Sequence, residues 1–208
     1  MKPWILAGVL LSALPSAARS QTVEITPMAG YRFGGTLLRF EAVGGATGAG
    51  LEVGDSATFG VHLGYRIGDF EIEGLYARQA TNLQMPTLFA GTPLMDLDLE
   101  TFQAGGNYLI RTKDAKVVPF IGFGLGLTRL LPKPEGLSDE TRFSASFAGG
   151  VKFWLGKHVG IRIEGRAFVT VLDSETDQLC GQNRGCASQI SDSDLYQGEA
   201  RGGLIFRF

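Results

Sequence analysis

The sequence predicts an all-β protein, an eight-stranded antiparallel up-and-down transmembrane β-barrel. First, no stretch after residue 20 has the run of about eighteen apolar residues that a membrane-crossing helix needs. Second, eight stretches alternate apolar and polar residues with period two, as strands with two different faces do. Third, the connections between these stretches alternate strictly between short and long.

The first four predicted strands are defined by what alternates in each. In Val23 to Phe33, apolar side chains alternate with glutamate, threonine, methionine, glycine and arginine. In Phe59 to Ile67, they alternate with two glycines, a histidine and an arginine. A tight turn at Gly68-Asp69 leads into Phe70 to Ala77, where two glutamates, a leucine and an alanine share one face. In the fourth strand, about Leu99 to Ile110, glutamine, glycine and asparagine oppose aromatic and aliphatic residues.

The last four predicted strands continue this pattern. In Val117 to Thr128, three glycines and a phenylalanine oppose a proline and four large apolar residues. The sixth strand, Phe143 to Leu155, puts three phenylalanines on one face. A short turn at residues 156–158 leads to Val159 to Val169, where two arginines and a glutamate oppose isoleucine and valine. In the eighth strand, Tyr196 to Phe208, charged residues again alternate with apolar ones.

The lengths of the connections favour a membrane barrel. Three are short, near Gly68, at 111–116 and near Gly156, whereas four are long and polar or glycine-rich, about 34–58, 79–98, 129–142 and 170–195. Short periplasmic turns and longer external loops are typical of outer-membrane barrels. An even number of strands then predicts that both termini lie in the periplasm.

Period two alone does not say which face lies inside, and a soluble lipocalin-like barrel with solvated charges outside is the alternative. The row Gly122, Gly124 and Gly126 favours a polar interior, because such glycines suit a crowded lumen and would only weaken an exposed face. We also expect Glu71 and Glu73 to pair with arginines drawn from Arg66, Arg162, Arg166 and Arg201, since buried charges must be compensated. The predicted interior charge network comprises Glu24, Arg32, His62, Arg66, Glu71, Glu73, Lys152, Arg162, Glu164, Arg166, Glu199, Arg201 and Arg207.

Residues 1–20 are predicted to be a signal peptide that is cleaved, leaving residues 21–208 as the barrel domain. Lys2 precedes a short apolar core, and Ala18-Arg19-Ser20 supplies small residues before the cut. An uncleaved membrane anchor is the alternative reading. Without Lys2 and Arg19, 17 basic residues face 21 acidic ones, a balance that gives no reason to expect a nucleic-acid partner.

Several stretches resemble one known family. They are Pro119 to Gly126 (PFIGFGLG), Gly149 to Leu155 (GGVKFWL), Val159 to Arg166 (VGIRIEGR) and the terminal Gly203 to Phe208 (GLIFRF). They are similar to the outer-membrane β-barrel domain family, the small OmpA/OmpX-like, porin-like barrels, over nearly all of residues 21–208. The resemblance implies location in the outer membrane. It also implies that the last strand, with Tyr196, Leu204, Phe206 and Phe208 on its apolar face, is the signal read by the insertion machinery.

The two cysteines, Cys180 and Cys186, lie in the last long connection and are predicted to form a disulfide, because an exported chain meets oxidising conditions. Free thiols are the alternative. The same connection carries five aspartates and glutamates, but their spacing matches no calcium-loop motif, so solvated charge is preferred over a Ca²⁺ site. We expect no metal and no cofactor.

Three functions are compatible with the sequence. The preferred one is a non-enzymatic structural or surface-interaction barrel with four long external loops and a side-chain-filled polar interior. The second is a narrow pore for ions or small solutes. The third, a lipid-modifying enzyme, is disfavoured because His62 lies on the polar face, whereas a deacylase needs its histidine and serine facing lipid. Predicted partners are outer-membrane lipid and lipopolysaccharide, the barrel-insertion machinery, periplasmic chaperones and an extracellular ligand bound by the loops, with the protein a monomer.

Overall fold

The fold is known from a computed structural model, which describes residues 21–37, 51–85, 92–110, 112, 116–133, 139–172 and 193–208. The predicted signal peptide, residues 1–20, lies outside these ranges and stays a prediction. So do Cys180 and Cys186 with their predicted disulfide. No helix long and apolar enough to cross a membrane occurs within the described ranges.

The described chain is built from strands. They are β1 (Gln21–Phe33), β2 (Thr36–Leu37), β3 (Leu51–Val53), β4 (Ser56–Ile67), β5 (Phe70–Met85), β6 (Thr92–Leu109), β7 (Val117–Pro132), β8 (Glu140–Trp154), β9 (Val159–Leu172) and β10 (Ser193–Arg207). Eight of them are long, and the short β2 and β3 belong to the first long connection.

The eight long strands close into a barrel. Each pairs antiparallel with its neighbours in sequence, and β1 pairs with β10, so that Ile25 lies opposite Leu63 of β4 on one side and Phe206 of β10 on the other. The remaining seam, between β5 and β6, is also fully paired. The predicted eight-stranded antiparallel up-and-down barrel is confirmed. We call the end with the three short connections and Phe208 the turn end, and the opposite end the loop end.

The outer surface of the barrel is an apolar band. Between Val23 and Phe33 on β1, the ten residue steps span about 25 Å at about 3.3 Å per residue and a tilt of about 40°. This is the height of a lipid-facing band in an outer-membrane barrel. Aromatic side chains stand at both of its edges, as in the edge-to-face pair of Phe70 and Tyr108, with ring centroids 5.3 Å apart, near the turn end. Large exposed members of the band include Phe59, Leu63, Ile72, Phe102, Ile121, Phe123, Leu125, Phe147, Ile163, Leu204 and Phe206.

The strands run further at the loop end than the sequence predicts. The stretches 79–98, 129–142 and 170–195 were expected to be loops, yet β5 continues to Met85, β6 begins at Thr92, and β7 to β10 extend similarly. Those boundaries are therefore wrong by several residues on each strand. The predicted strand bounds depend on an apolar outward face, and the outward residues are no longer apolar beyond the lipid band.

Beyond the lipid band the two faces of the barrel exchange polarity. Outward positions become charged: Arg78 pairs with Asp98 at 2.7 Å, and Arg129 pairs with Asp139 at 2.5 Å. Several inward positions become apolar, with Leu97 and Leu99 almost fully buried. This part of the barrel therefore obeys the rule for soluble proteins, which indicates that it stands in water.

Two adjacent glycines follow β1 at the loop end. Gly34 and Gly35 have φ of 71° and 147°, a region that favours glycine, and they separate β1 from β2. The amide of Gly34 donates to Asp55 Oδ1 at 3.1 Å, and the amide of Val53 donates to Gly35 O at 2.8 Å. β3 consequently pairs with β5 and turns the side chain of Val53 into the lumen.

Candidate functional site: the barrel interior

The interior of the barrel holds a dense set of compensated charges. Their positions follow from parity, because each lies two, four or six residues from another inward side chain on its strand. Five carboxylates and five permanent cations are buried there among the described residues, so their formal charges cancel. They are Glu24, Glu71, Glu73, Glu164 and Glu199 with Arg32, Lys152, Arg162, Arg166 and Arg201.

Glu73 on β5 lies at the centre of this set. Its carboxylate is 2.7 Å from Arg162 Nη2 and 2.5 Å from Arg166 Nη2, and it accepts a 2.7 Å hydrogen bond from Asn107 Nδ2. His62 Nδ1 lies 2.9 Å from the same carboxylate. Four side chains from β4, β6 and β9 therefore converge on one group of β5.

Glu164 on β9 is held by three arginines. Arg162 Nε and Arg166 Nε, two residues away on either side along the strand, each donate to it at 2.8 Å, and Arg201 Nε of β10 donates at 2.9 Å. Each guanidinium offers several N–H groups in a rigid plane, so one arginine bridges two carboxylates. Arg162 does this between Glu73 and Glu164.

Nearer the turn end the bridging cation is Lys152 on β8. Its Nζ is 2.6 Å from Glu24 Oε2 and also contacts Glu71. Arg207 Nη2 lies 3.1 Å from the second oxygen of Glu24. This part of the network joins β1, β5, β8 and β10 across the lumen.

Nearer the loop end the carboxylate is Glu199. It lies 2.7 Å from Arg32 Nη2 and accepts a 2.8 Å hydrogen bond from Thr58 Oγ1. The guanidinium of Arg32 also stacks 4.1 Å from the ring centroid of Phe168, and Arg162 stacks similarly at 4.3 Å on Phe120. Buried aromatic faces thus supply further compensation for these cations.

The glycine row on β7 makes room for this network. A Cβ on Gly122 would collide with the side chain of Asn107, and one on Gly124 would lie 2.9 Å from Gln103 Oε1 and 3.0 Å from Ser146 Oγ. These partners are themselves bonded inside the barrel, since Asn107 donates to Glu71 at 3.0 Å and Ser146 to Gln103 at 2.6 Å. The interior at this level is packed with side chains.

The structure brings most of the predicted interior residues together, with differences in partner. Glu73 meets Arg162 and Arg166, whereas Glu71 is held chiefly by Lys152 and is 3.5 Å from Arg162. Arg201 binds Glu164 rather than either of the two predicted glutamates. Arg66 departs from the expectation, because its Nε donates at 3.0 Å to the carbonyl of Gly68 at the turn end. Arg66 lies near the end of β4, where the chain turns, so its long side chain reaches the mouth instead of the centre.

An apolar cluster fills the lumen above the charges, and the sequence reasoning missed it. We call it the apolar plug; it consists of Val53, Leu83, Leu97, Leu99 and Leu195, with Met95 and Leu130 packed against it. The alternation along β6 could have indicated this cluster, because Leu97 and Leu99 fall on the same inward face as Gln103 and Asn107. Apolar residues on the polar face of a strand mark the point where the barrel leaves the lipid.

The apolar plug gives a prediction about stability. Leu99→Ala removes a side chain with no exposed surface, so it should leave a cavity and lower the free energy of unfolding by about 2–5 kcal/mol. Denaturant unfolding of the protein in phospholipid vesicles measures this. Leu125→Ala is the control: its side chain faces outward and lipid fills the removed volume, so its loss should be smaller. Equal losses would show that Leu99 is not packed as described.

His62, Glu73 and Glu164 are close enough to raise the question of a metal. One ligand atom from each lies within 4.8 Å of the others, and all three side chains are buried. However, Arg162, Arg166 and Arg201 already bind these two carboxylates at 2.5–2.9 Å. A divalent cation there would face three fixed positive charges. The donor set therefore suits an ion-pair network and not a metal centre.

A closed barrel with a lipid-type outer surface and a charge-compensated interior defines a transmembrane barrel of the outer-membrane class. The family model described as outer membrane protein beta-barrel domain matches residues 5–204, and the chain belongs to this family. Its place is accordingly the outer membrane.

Solved structures share this fold. Neisserial surface protein A (NspA) is similar with a TM-score of 0.59 and 17% identity, over 91% of this chain and 100% of that one. The outer membrane protein OprG from Pseudomonas aeruginosa is similar with a TM-score of 0.58 and 12% identity, over 91% and 97%. At these identities the likeness concerns the fold alone. Comparison with curated proteins found no significant match.

Proposed function

We propose that the protein is a non-conducting, non-enzymatic outer-membrane barrel whose long connections serve as a contact surface outside the cell. The observation that carries the proposal is a continuous series of ion pairs in the interior, from Arg207 near the turn end to Arg32 near the loop end. The residues that link them are, in order, Glu24, Lys152, Glu71, Arg162, Glu164, Arg201 and Glu199. The apolar plug lies beyond them. An eight-stranded barrel is just wide enough for its own side chains, which supports a lumen that these two layers close to water.

The proposed role as a contact surface follows from which parts of the barrel can reach a partner outside the cell. The lumen is occupied by the barrel's own residues, and His62 lies inside beside Glu73, away from any lipid substrate. This supports the connections at the loop end as the parts that meet a partner outside the cell. We place the loop end outside the cell and the turn end with both termini in the periplasm, because short turns face the periplasm in barrels of this class.

Partners and assembly are part of the same proposal. The apolar band extends around all eight strands, which favours a monomer surrounded by outer-membrane lipid and lipopolysaccharide over a subunit in a larger assembly. β10 presents Tyr196, Leu204 and Phe206 outward, and Phe208 directly after it is also exposed, an arrangement suited to recognition by the insertion machinery after transport by periplasmic chaperones. An extracellular ligand would bind at the long connections.

Single-channel recording in planar bilayers tests the closed interior. We expect no steady conductance from the wild-type protein, because ion flow would require several buried charge pairs to separate. Slower gel migration after boiling provides the control that folded barrel was reconstituted. Steady wild-type conductance that Glu73→Ala abolishes would overturn the proposal and favour a narrow pore.

Protease treatment of intact cells tests the proposed orientation. We expect cleavage only within the long connections at 38–50, 86–91, 134–138 and 173–192, since paired strands resist proteolysis. The turn at Gly68-Asp69 is the internal control and should be cut only after the outer membrane is permeabilised. Cleavage at that turn in intact cells would place the turn end outside and contradict the proposal.

A further inference from the structure

The turn end of the barrel contains an open cavity that the proposed function does not use. It has a volume of about 770 Å³, within the range of small-molecule sites. The ion pairs of Glu24 and Lys152 form the layer above it. Its walls include Arg66, Lys116, Lys157, Arg207, Trp154 and Leu109. We call it the basic cavity.

The lining of the basic cavity contains more cationic than anionic side chains. Its lining holds four lysines and arginines but, among the described residues, a single carboxylate, Asp69. The cations come from separate places in the fold, since Arg66 ends β4, Lys116 precedes β7, Lys157 lies between β8 and β9, and Arg207 ends β10. They therefore surround the cavity instead of lining one side, and their fields add at its centre.

Arg207 is held in position before any ligand arrives. Its guanidinium carbon lies 3.2 Å from the ring centroid of Trp154, and Nη2 lies 3.1 Å from Glu24 Oε1. That carboxylate is shared with Lys152 at 2.6 Å, so one negative charge serves two cations. Arg207 remains 23% exposed, and a guanidinium fixed in this way can receive an anion at little entropic cost.

The wall of the basic cavity is also partly apolar. Val118 faces inward and is half-buried, and Trp154 and Leu109 lie beside it with only a small part of their surface exposed. A ligand that matches both properties has an anionic head and an apolar body. Phosphate fits the cations better than a carboxylate does, because its oxygens spread over three directions and guanidinium groups bind it in a bidentate manner.

We propose that the basic cavity binds a phosphate ester with an apolar substituent. Two sources share this chemistry: a soluble alkyl or aryl phosphate in the periplasm, and the headgroup of a phospholipid in the adjoining leaflet. In the bound state Lys157, Arg66 and Arg207 contact the phosphate oxygens, and Val118 and the exposed edge of Trp154 contact the first carbons of the substituent.

Calorimetric titration of the folded barrel in a neutral maltoside detergent tests this, with hexyl phosphate as the probe. We expect saturable binding near one ligand per barrel, and at least tenfold weaker binding of hexanol and of inorganic phosphate. Lys157→Gln and Arg66→Gln should each weaken hexyl phosphate binding about tenfold or more, since each removes a charge-assisted hydrogen bond. Arg129→Gln, a cation at the loop end, is the control and should bind as wild type does.

Two outcomes would overturn the proposal: no saturable binding of hexyl phosphate, or equal binding by wild type, Lys157→Gln and Arg66→Gln. A second titration, in nanodiscs containing phosphatidylglycerol, separates the two sources. Loss of hexyl phosphate binding there identifies the lipid headgroup as the occupant, and retained binding identifies a soluble ester. Because these readouts do not involve conductance or the loops, the result is independent of the function proposed above.

Discussion

Replacing Glu164 with glutamine should lower the free energy of unfolding by about 3–5 kcal/mol, the expected cost of removing one partner from a buried ion pair. The carboxylate is buried and is bound by Arg162, Arg166 and Arg201 at 2.8–2.9 Å. Glutamine keeps the volume but removes the negative charge, which leaves three guanidinium groups repelling one another around a neutral amide. Denaturant unfolding in phospholipid vesicles measures the loss.

The matched control for Glu164→Gln is Asp139→Asn. Asp139 pairs with Arg129 at 2.5 Å, but both side chains are 47% exposed, so this pair should be worth less than about 1 kcal/mol. Should Glu164→Gln fail to fold, the double variant Glu164→Gln/Arg201→Gln removes one cation with the anion and should recover folding. Similar losses for Glu164→Gln and Asp139→Asn would show that the interior charges are solvated.

Placing a charge on the outer band should be nearly as damaging. Phe123 on β7 faces outward, is 59% exposed, and lies near the middle of the apolar band. Phe123→Arg should lower the free energy of unfolding in vesicles by about 2–4 kcal/mol, the cost of an arginine near the bilayer midplane.

The control for Phe123→Arg is Ala80→Arg. Ala80 also faces outward but lies beyond the band on β5, opposite Asp98 of β6. An arginine there should change stability by less than about 1 kcal/mol, because the site is in water beside a carboxylate. A large loss at Ala80, or none at Phe123, would mean that the lipid boundary is misplaced.

The alternation of residue types was enough to predict the number of strands, whereas the inward face was predicted from the glycine row of β7 and the complementary charges. Parity placed Phe206 outward and Glu199 inward on β10, and the structure has them there. It could not give the strand ends at the loop end, because the polarity of the two faces reverses between Tyr76 and Arg78. The rule that outward strand residues are apolar holds only within the lipid band, so it could not identify the parts of the strands that extend into water.

The partners within the interior were harder to predict than its composition. Which glutamate meets which arginine depends on the stagger between strands and on the direction in which each side chain crosses the lumen, and neither is visible in a single strand. Arg201 of β10 reaches Glu164 on the neighbouring strand, whereas Lys152 of β8 spans the lumen to Glu24 of β1. The apolar plug and the basic cavity each combine residues from several strands, so only the closed barrel brings them together.

Leu204 and Ile205 allow the most direct test of the central claim, that this barrel is apolar outside and charge-paired inside. They are neighbours on β10, yet Leu204 is 50% exposed and Ile205 is fully buried. In a methyl-labelled, otherwise deuterated sample in lipid nanodiscs, we expect nuclear Overhauser effects between lipid acyl chains and the methyls of Leu204, but not those of Ile205. Lipid contacts at Ile205, or equal contacts at both residues, would contradict the account.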